Sequence, residues 1–220
     1  MEATVFEELM SQWKSHAGLN GPPARPIELW QGGGCGIWIS NEWGPAVPYG
    51  PVDHGDGTIN HGYSHLKGNS GAAGLIPEVQ GWPELQQFLE VLNAVESPVE
   101  SVGCEKCFSP GEAGWPPVKI GSYVDVIFTE TALNDRPENL LLLTSQLVPA
   151  LSGCEDWWAS VEFRLQRNRA LAGSAVPWGL MLHITNYGRD EEEARKFWSV
   201  TLSRLSRAIE GLPQDLRYDG

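Results

Sequence analysis

The sequence predicts an α+β fold, with a largely antiparallel sheet and helices packed on one face of it. Segments with apolar residues at helical spacing alternate along the chain with pairs of segments in which apolar and polar residues alternate. Glycine and proline residues separate these segments. The chain has 220 residues, of which 41% are hydrophobic and 20% charged, so we expect one domain with a buried core over residues 1–220.

The first predicted elements are a helix and a hairpin. Thr4 and Glu7 have the spacing of a capping box, and Gly18 is expected to end the helix that follows. One face of this helix is apolar at Phe6, Leu9, Met10 and Trp13. Two short strands at residues 27–30 and 36–40 flank a glycine-rich turn, which predicts a hairpin.

The middle of the chain predicts a second helix and a second strand pair. Pro83 suits the first turn of a helix over residues 82–95. Strands are expected at residues 99–108 and 118–130. Both faces of the second strand are substantially apolar, which is typical of a central strand.

The C-terminal part predicts two further helices around a third strand pair. A capping box with proline in the first turn opens a helix from Asp135 to Gly153. Strands at residues 159–166 and 178–187 follow, and a last helix spans residues 190–211. The whole order is therefore α-ββ-α-ββ-α-ββ-α, and the order within residues 118–211 is that of a ferredoxin-like half.

Residues 41–81 interrupt this pattern as a long loop. The segment holds nine glycines, four prolines and three of the five histidines, with little periodicity. Loops of this length are usually functional or disordered. Aromatic and acidic side chains in it are candidate contacts for a partner protein, because tryptophan is enriched in interface hot spots. These candidates are Trp43, Tyr49, Asp53, Asp56 and Tyr63.

The charge balance makes nucleic acid an unfavourable partner. The net charge is −13, and residues 1–97 hold eleven acidic and three basic side chains. A field of this sign repels phosphate backbones and favours a basic protein or a metal cation. No apolar run approaches the roughly 20 residues that span a bilayer, and the N-terminus lacks the pattern of a secretory signal. We therefore expect a cytoplasmic protein that does not bind membranes.

The same loop contains candidate metal ligands. His61 and His65 are four residues apart, and His54 and Asp56 precede them. Zinc, or another divalent metal such as manganese or iron, is coordinated by such side chains. The segment is a weak helix former and has no His-Glu-x-x-His motif. We therefore expect no cofactor, and a divalent metal bound at this site is the alternative.

The four cysteines give no clear site. Cys104 and Cys107 form a Cys-x-x-Cys motif near the end of a predicted strand, whereas redox motifs stand at a helix N-terminus. A structural zinc site would need Cys35 and Cys154 to converge on this motif in space. Without a secretory signal, reduced thiols are expected. Ser70 lacks the setting of an activated nucleophile.

Two functions from different classes fit these observations. The first is a non-enzymatic acidic protein-binding protein, with a basic partner. By analogy of size, charge and fold class, it would be an immunity or inhibitor protein that neutralises a basic bacterial toxin. The second is a metal-dependent hydrolase that uses the histidine and aspartate cluster of residues 53–65. The first requires fewer coincidences and is preferred, so no catalytic residue is assigned.

Overall fold

The computed structural model describes residues 4–17, 25–44, 52–53, 55, 59–69, 71–169 and 177–220. It has a mixed α/β fold with a six-stranded, mostly antiparallel sheet and four α-helices, as the sequence predicts. The helices are α1 (Val5–Ala17), α2 (Pro83–Leu92), α3 (Pro137–Leu147) and α4 (Glu191–Glu210). The strands are β1 (Ile27–Gly32), β2 (Cys35–Gly44), β3 (Val52–Asp53), β4 (Ile59–Asn60), β5 (Val99–Pro110), β6 (Val118–Phe128), β7 (Ala159–Asn168) and β8 (Trp178–Gly188). Within the described ranges, no helix has the length and apolar character needed to cross a membrane.

The six-stranded sheet has the order β1-β2-β7-β8-β6-β5. Every neighbouring pair is antiparallel except β2 and β7, which run parallel. The predicted N-terminal hairpin is confirmed, with Gly32 opposite Cys35. Its two turn residues, Gly33 and Gly34, have φ values of 53° and 81°, a backbone conformation that favours glycine. The short strands β3 and β4 pair only with each other in the described part of the chain.

Polar contacts between strands and helices place α2 and α4 against the same face of the sheet. The Trp198 indole of α4 donates to the Ser122 hydroxyl of β6 at 2.8 Å. The Asn186 amide of β8 donates to the Thr201 hydroxyl of α4 at 3.0 Å. At the far edge, the Asn93 amide beyond α2 donates to Ser101 of β5 at 2.8 Å. Helix α3 extends this layer over β7 and β8, and α1 packs on α3 and β1.

The core lies between this helical layer and the sheet. Its largest fully buried side chains include Trp198, Phe88, Phe128, Phe163, Leu85 and Ile37. Burying a side chain of this size contributes about 2–3 kcal/mol each to folding. The opposite face of the sheet carries polar side chains, among them Tyr123, Asp125, Glu162, Arg164 and His183. We call this second surface the polar face.

Several predicted boundaries are wrong, and each has a local cause. The strand predicted to end at residue 40 continues to Gly44, because β2 resumes its pairing with β7 after an irregularity between Ile39 and Trp43. The helix predicted to reach Gly153 ends at Leu147, and a 3₁₀ turn follows over Val148–Leu151. Pro149 explains this end, because it has no N–H for the next helical hydrogen bond. The predicted loop 41–81 also contains β3, β4 and two 3₁₀ turns, Ala72–Leu75 and Pro77–Val79.

Lys67 holds together the end of α2 and the start of β5. Its ammonium group donates to the backbone carbonyls of Ala94 and Val99, at 2.8 and 2.9 Å, and to that of Ser97. Burial lowers the pKa of Lys67, while the nearby Glu100 and Glu96 carboxylates oppose this shift. One charged side chain therefore bonds to three carbonyls between the end of α2 and the start of β5.

Changing Lys67 to methionine should lower the free energy of unfolding by about 2–3 kcal/mol, because three charge-assisted hydrogen bonds are lost and methionine offers no donor. Urea unfolding followed by circular dichroism measures this loss. Lys14→Met, at an exposed position of α1, is the matched control and should change stability by less than about 0.5 kcal/mol. Equal losses in the two variants would contradict this role of Lys67.

Candidate functional site

The described residues among the predicted partner contacts are spread over different parts of the fold. Trp43, expected in a loop, lies in β2 with 46% of its surface exposed and the Arg167 guanidinium 5.7 Å from its ring centroid. Tyr63 lies near Glu100 of β5, whose charge raises the pKa of Tyr63 after the larger effect of burial. Strands β2 and β5 are four strand spacings apart, about 19 Å. Trp43 and Tyr63 therefore lie on different parts of the sheet, and their role as partner contacts stays a prediction.

The other predicted residues of this loop are only partly described. Asp53 in β3 is exposed, and its carboxylate accepts the Gly55 N–H at 2.8 Å, as in an ordinary turn. Tyr49, His54 and Asp56 lie outside the described residues. His61 is exposed, and the His65 Nδ1 lies 3.1 Å from the Tyr63 hydroxyl. Residues 61–66 form no helix, so helical spacing does not bring His61 and His65 together.

The described side chains offer no cluster of three or more histidine, cysteine, aspartate or glutamate residues that could hold a metal ion. Two of the four proposed ligands are not described, so the predicted metal site remains a prediction. A zinc site of four cysteines does not form. Cys104 and Cys107 lie three residues apart in β5, which directs them to opposite faces of the strand. Cys35 and Cys154 lie at the other edge of the sheet, beside the β1–β2 turn.

The polar face carries three contacts between ionisable or amide side chains. Glu162 lies 3.4 Å from Arg164 and 3.9 Å from the His183 Nδ1. Burial lowers the pKa of His183, and Glu162 partly opposes this. The Gln166 amide donates to the buried Asp125 carboxyl at 2.8 Å. Glu162 therefore accompanies His183 on this face, and Tyr123 stands opposite His183 in the neighbouring strand.

A groove between the C-terminal ends of α2 and α4 is a better candidate for a functional site than the predicted loop residues or the polar face. It has a volume of about 490 Å³. Its floor is apolar, formed by Val91, Ala94 and Leu212, with Ile209 beneath. Its rim carries three exposed carboxylates, Glu90, Glu96 and Glu210. We call it the acidic groove.

The acidic groove continues around the end of α2 into a smaller hollow. This hollow has a volume of about 270 Å³ and shares Glu90, Ala94 and Glu96 with the groove. Val95 stands at its side with 71% of its surface exposed. An exposed apolar side chain between carboxylates is typical of a surface that contacts a partner with both apolar and basic groups.

The helix arrangement adds negative potential to the groove. Glu84 in the first turn of α2 accepts two hydrogen bonds from Arg195 in α4, at 2.9 and 2.8 Å. This ion pair aligns the helix starts, so both helices direct their C-terminal ends to the groove. Each helix end carries about half a negative charge. Among the residues that the structure describes, no lysine or arginine is a lining residue of the groove. Lys67 bonds to the carbonyls of two lining residues, Ala94 and Ser97, and Arg207 lies in the last turn of α4.

Sequence reasoning missed this groove although the acidic residues were visible. Glu90 is a surface residue of a predicted helix, and Glu210 stands at the end of another helix 120 positions later. Nothing local indicates that these two helix ends meet. One signal was available, because carboxylates near a helix C-terminus oppose the helix dipole and are therefore unexpected there.

Comparison of the chain with protein-family models, with curated proteins and with solved structures finds no match. A proposal about the function of this chain therefore rests on the geometry of its described residues.

Proposed function

We propose that this protein is a non-enzymatic binding protein that takes a basic, amphipathic segment of a partner protein into the acidic groove. The observation that carries the proposal is the meeting of three carboxylates and two helix C-termini around an apolar floor. Basic side chains of the segment would face Glu90, Glu96 and Glu210, and its apolar side chains would cover Val91, Ala94 and Val95. The net charge of −13 speeds the approach of such a partner.

The partner class follows from the same charges. Basic toxins are one class of protein that presents basic segments to an acidic binding protein. An immunity or inhibitor protein would neutralise such a toxin by covering its basic surface. This extension rests on charge, size and fold class. The groove residues replace the loop residues of the sequence prediction as the main contacts, while Asp53 remains an exposed acid on the same chain.

The proposal predicts charge-dependent binding that needs the groove. An 18-residue amphipathic peptide of lysine and leucine should bind with one-to-one stoichiometry, as measured by calorimetry. The triple variant Glu90→Gln, Glu96→Gln and Glu210→Gln should weaken this binding about tenfold, since exposed pairs contribute about 0.2–1 kcal/mol each. Raising the salt concentration should weaken wild-type binding in the same direction.

A matched control separates the groove from the overall charge. Glu130, Asp135 and Asp219 are exposed acids away from the groove, and the variant Glu130→Gln, Asp135→Asn and Asp219→Asn removes the same net charge. It should bind the lysine peptide nearly as well as the wild type. Equal weakening in both triple variants would refute the groove as the binding site. Stoichiometric metal in the purified protein, measured by elemental mass spectrometry, would instead support the hydrolase alternative.

We also infer that β5 to α4 follow a ferredoxin-like pattern in permuted form. The order β6-α3-β7-β8-α4 supports this, as does the position of β8 between β6 and β7. The strand beside β6 is β5, which precedes β6 in the chain instead of following α4. The pattern carries no functional argument, because unrelated functions share this fold.

A further inference from the structure

Three aromatic side chains meet at the end of the sheet where α4 begins. Trp115 lies in the loop between β5 and β6, Trp158 immediately precedes β7, and Tyr187 lies near the end of β8. Backbone pairing fixes their neighbourhood, because the Tyr187 N–H donates to the Trp158 carbonyl at 3.0 Å. We call these three side chains the aromatic corner.

The rings of the aromatic corner form two walls. The Trp115 ring stacks on Tyr187, with centroids 4.5 Å apart and planes at 30°. The Trp158 ring stands nearly perpendicular to Trp115, at 5.9 Å and 73°. Trp115 and Trp158 remain 45% and 44% exposed, whereas Tyr187 is buried behind them. Both indoles are therefore partly exposed where the two rings meet at a steep angle.

The backbone of Trp158 is strained. Its φ of 49° makes it the sole non-glycine residue with positive φ in the described ranges, a rare conformation for a bulky side chain. Hydrogen bonds impose this conformation, since the Trp158 N–H donates to the Glu155 carbonyl at 3.2 Å and its carbonyl accepts from Tyr187. Glycine or asparagine would fit this turn with less strain. Backbone strain of this kind is often found at functional positions.

Carboxylates lie beside the aromatic corner, and Arg204 lies over the neighbouring Trp157 ring, 4.2 Å from its centroid. Glu112 bonds to Lys119 and to the Tyr187 hydroxyl, and these hydrogen bonds lower the pKa of Glu112 to about 2. It is therefore a carboxylate at neutral pH. Glu155 and Asp156, both exposed, directly precede the strained turn. Lys119 is the basic side chain in contact with this group, and Glu112 neutralises it.

We infer that the aromatic corner binds a quaternary or methylated ammonium cation. Indole faces attract such a cation through their ring quadrupoles, and the negative charge of the chain favours it. Methylation removes the N–H donors of an ammonium, so a quaternary cation loses fewer hydrogen bonds to water when it contacts ring faces, which offer no acceptors. A sugar ring stacks on one flat platform, whereas these two walls stand at 73° to each other. The corner therefore fits a compact, weakly hydrated cation.

This inference goes beyond the proposed partner binding. The aromatic corner lies where α4 begins, and the acidic groove lies where α4 ends. A helix of 20 residues is about 30 Å long, so the two sites are separate. The experiment on the aromatic corner and the experiment on the acidic groove therefore have independent outcomes.

Calorimetric titration with tetramethylammonium, choline and a trimethyllysine peptide tests the inference. We expect binding in the millimolar range or tighter, and no measurable binding of 3,3-dimethyl-1-butanol, the neutral analogue of choline. Preference for choline would indicate a small-molecule ligand, and preference for the peptide would indicate a methylated protein; either supports the site. Equal binding of choline and its neutral analogue would overturn it.

Variants locate the site. Trp158→Asn removes one wall and suits the turn, so it should fold and weaken tetramethylammonium binding at least tenfold. Trp115→Leu should have a similar effect. Trp43→Leu removes another exposed tryptophan and is the matched control, which should bind like the wild type, as should the groove triple variant. Equal weakening by Trp43→Leu, or self-association that Trp158→Asn abolishes, would show that the corner has another role.

Discussion

Replacing Asp125 with asparagine should stabilise the protein by about 4 kcal/mol at pH 8 and change its stability little at pH 4. Asp125 lies in β6 on the polar face, with 3% of its surface exposed. Its side chain accepts a hydrogen bond from the Gln166 amide, which is neutral. Burial raises the pKa of this carboxyl from 3.8 to about 7. Asparagine keeps an oxygen acceptor for Gln166 but never becomes charged.

The direction of the effect follows from proton linkage. Below pH 3.8 the carboxyl is protonated in both the folded and the unfolded chain, so it does not affect stability. Between pH 3.8 and about 7 the unfolded chain releases the proton while the folded chain keeps it. Stability therefore falls by about 1.4 kcal/mol per pH unit over this window and levels off above pH 7. The substitution Asp125→Asn would remove this slope.

Urea unfolding of the wild type and the variant from pH 5 to pH 8.5 measures the difference. The stability advantage of Asp125→Asn should grow with pH and reach a plateau above about pH 7. Glu162→Gln removes a carboxylate from a half-exposed position of the same face and is the control. A difference between Asp125→Asn and the wild type that does not depend on pH would contradict burial of a titrating carboxyl.

Changing Gly188 to alanine should destabilise the protein by about 3 kcal/mol or more. Gly188 ends β8 immediately before the turn into α4. A Cβ atom at this position would overlap the Ala194 nitrogen and lie 2.9 Å from the Asp190 carbonyl oxygen. These are backbone atoms of the first turn of α4, so no side-chain movement relieves the clash. The helix would have to shift away from the sheet.

Gly211→Ala provides the comparison. Gly211 follows α4 with a φ of −86°, and a Cβ there would meet its nearest atoms at 3.5 Å, an ordinary contact. We expect a change in stability of less than about 0.5 kcal/mol in this variant. Thermal unfolding by calorimetry compares the two. Similar midpoints for Gly188→Ala and the wild type would show that the β8–α4 turn is looser than the geometry indicates.

The helices and most strands were predictable because their signals are local. The capping residue Asp190, for example, accepts the Glu193 N–H at 2.8 Å, as the spacing of the two residues indicates. The parallel pairing of β2 with β7 was not predictable, because the two strands are more than 100 residues apart and leave no local pattern. The composition of the predicted loop also gave little information about its secondary structure. Glycine and proline in residues 41–81 concealed the continuation of β2 that carries Trp43.

Functional surfaces were harder to predict than the fold. Both proposed surfaces join residues from distant parts of the chain, as Trp115 and Trp158 illustrate. The sequence places Trp115 in a loop, between the strands predicted at residues 99–108 and 118–130. It gave no sign that a tryptophan at position 158 would adopt positive φ, because nothing but tertiary hydrogen bonding imposes that backbone.

The parallel pairing of β2 with β7 also means that β2 is synthesised long before the strand that covers its edge. Strand β2 ends at Gly44 and its partner β7 ends at Asn168, 124 residues later (168 minus 44). At about 5–20 residues per second, the ribosome needs about 6–25 seconds to supply that partner. Until then the β2 edge of the β1–β2 hairpin presents unpaired backbone groups that other nascent chains can recruit. Newly made chains are therefore most vulnerable to aggregation before β7 emerges, and slower translation lengthens that interval.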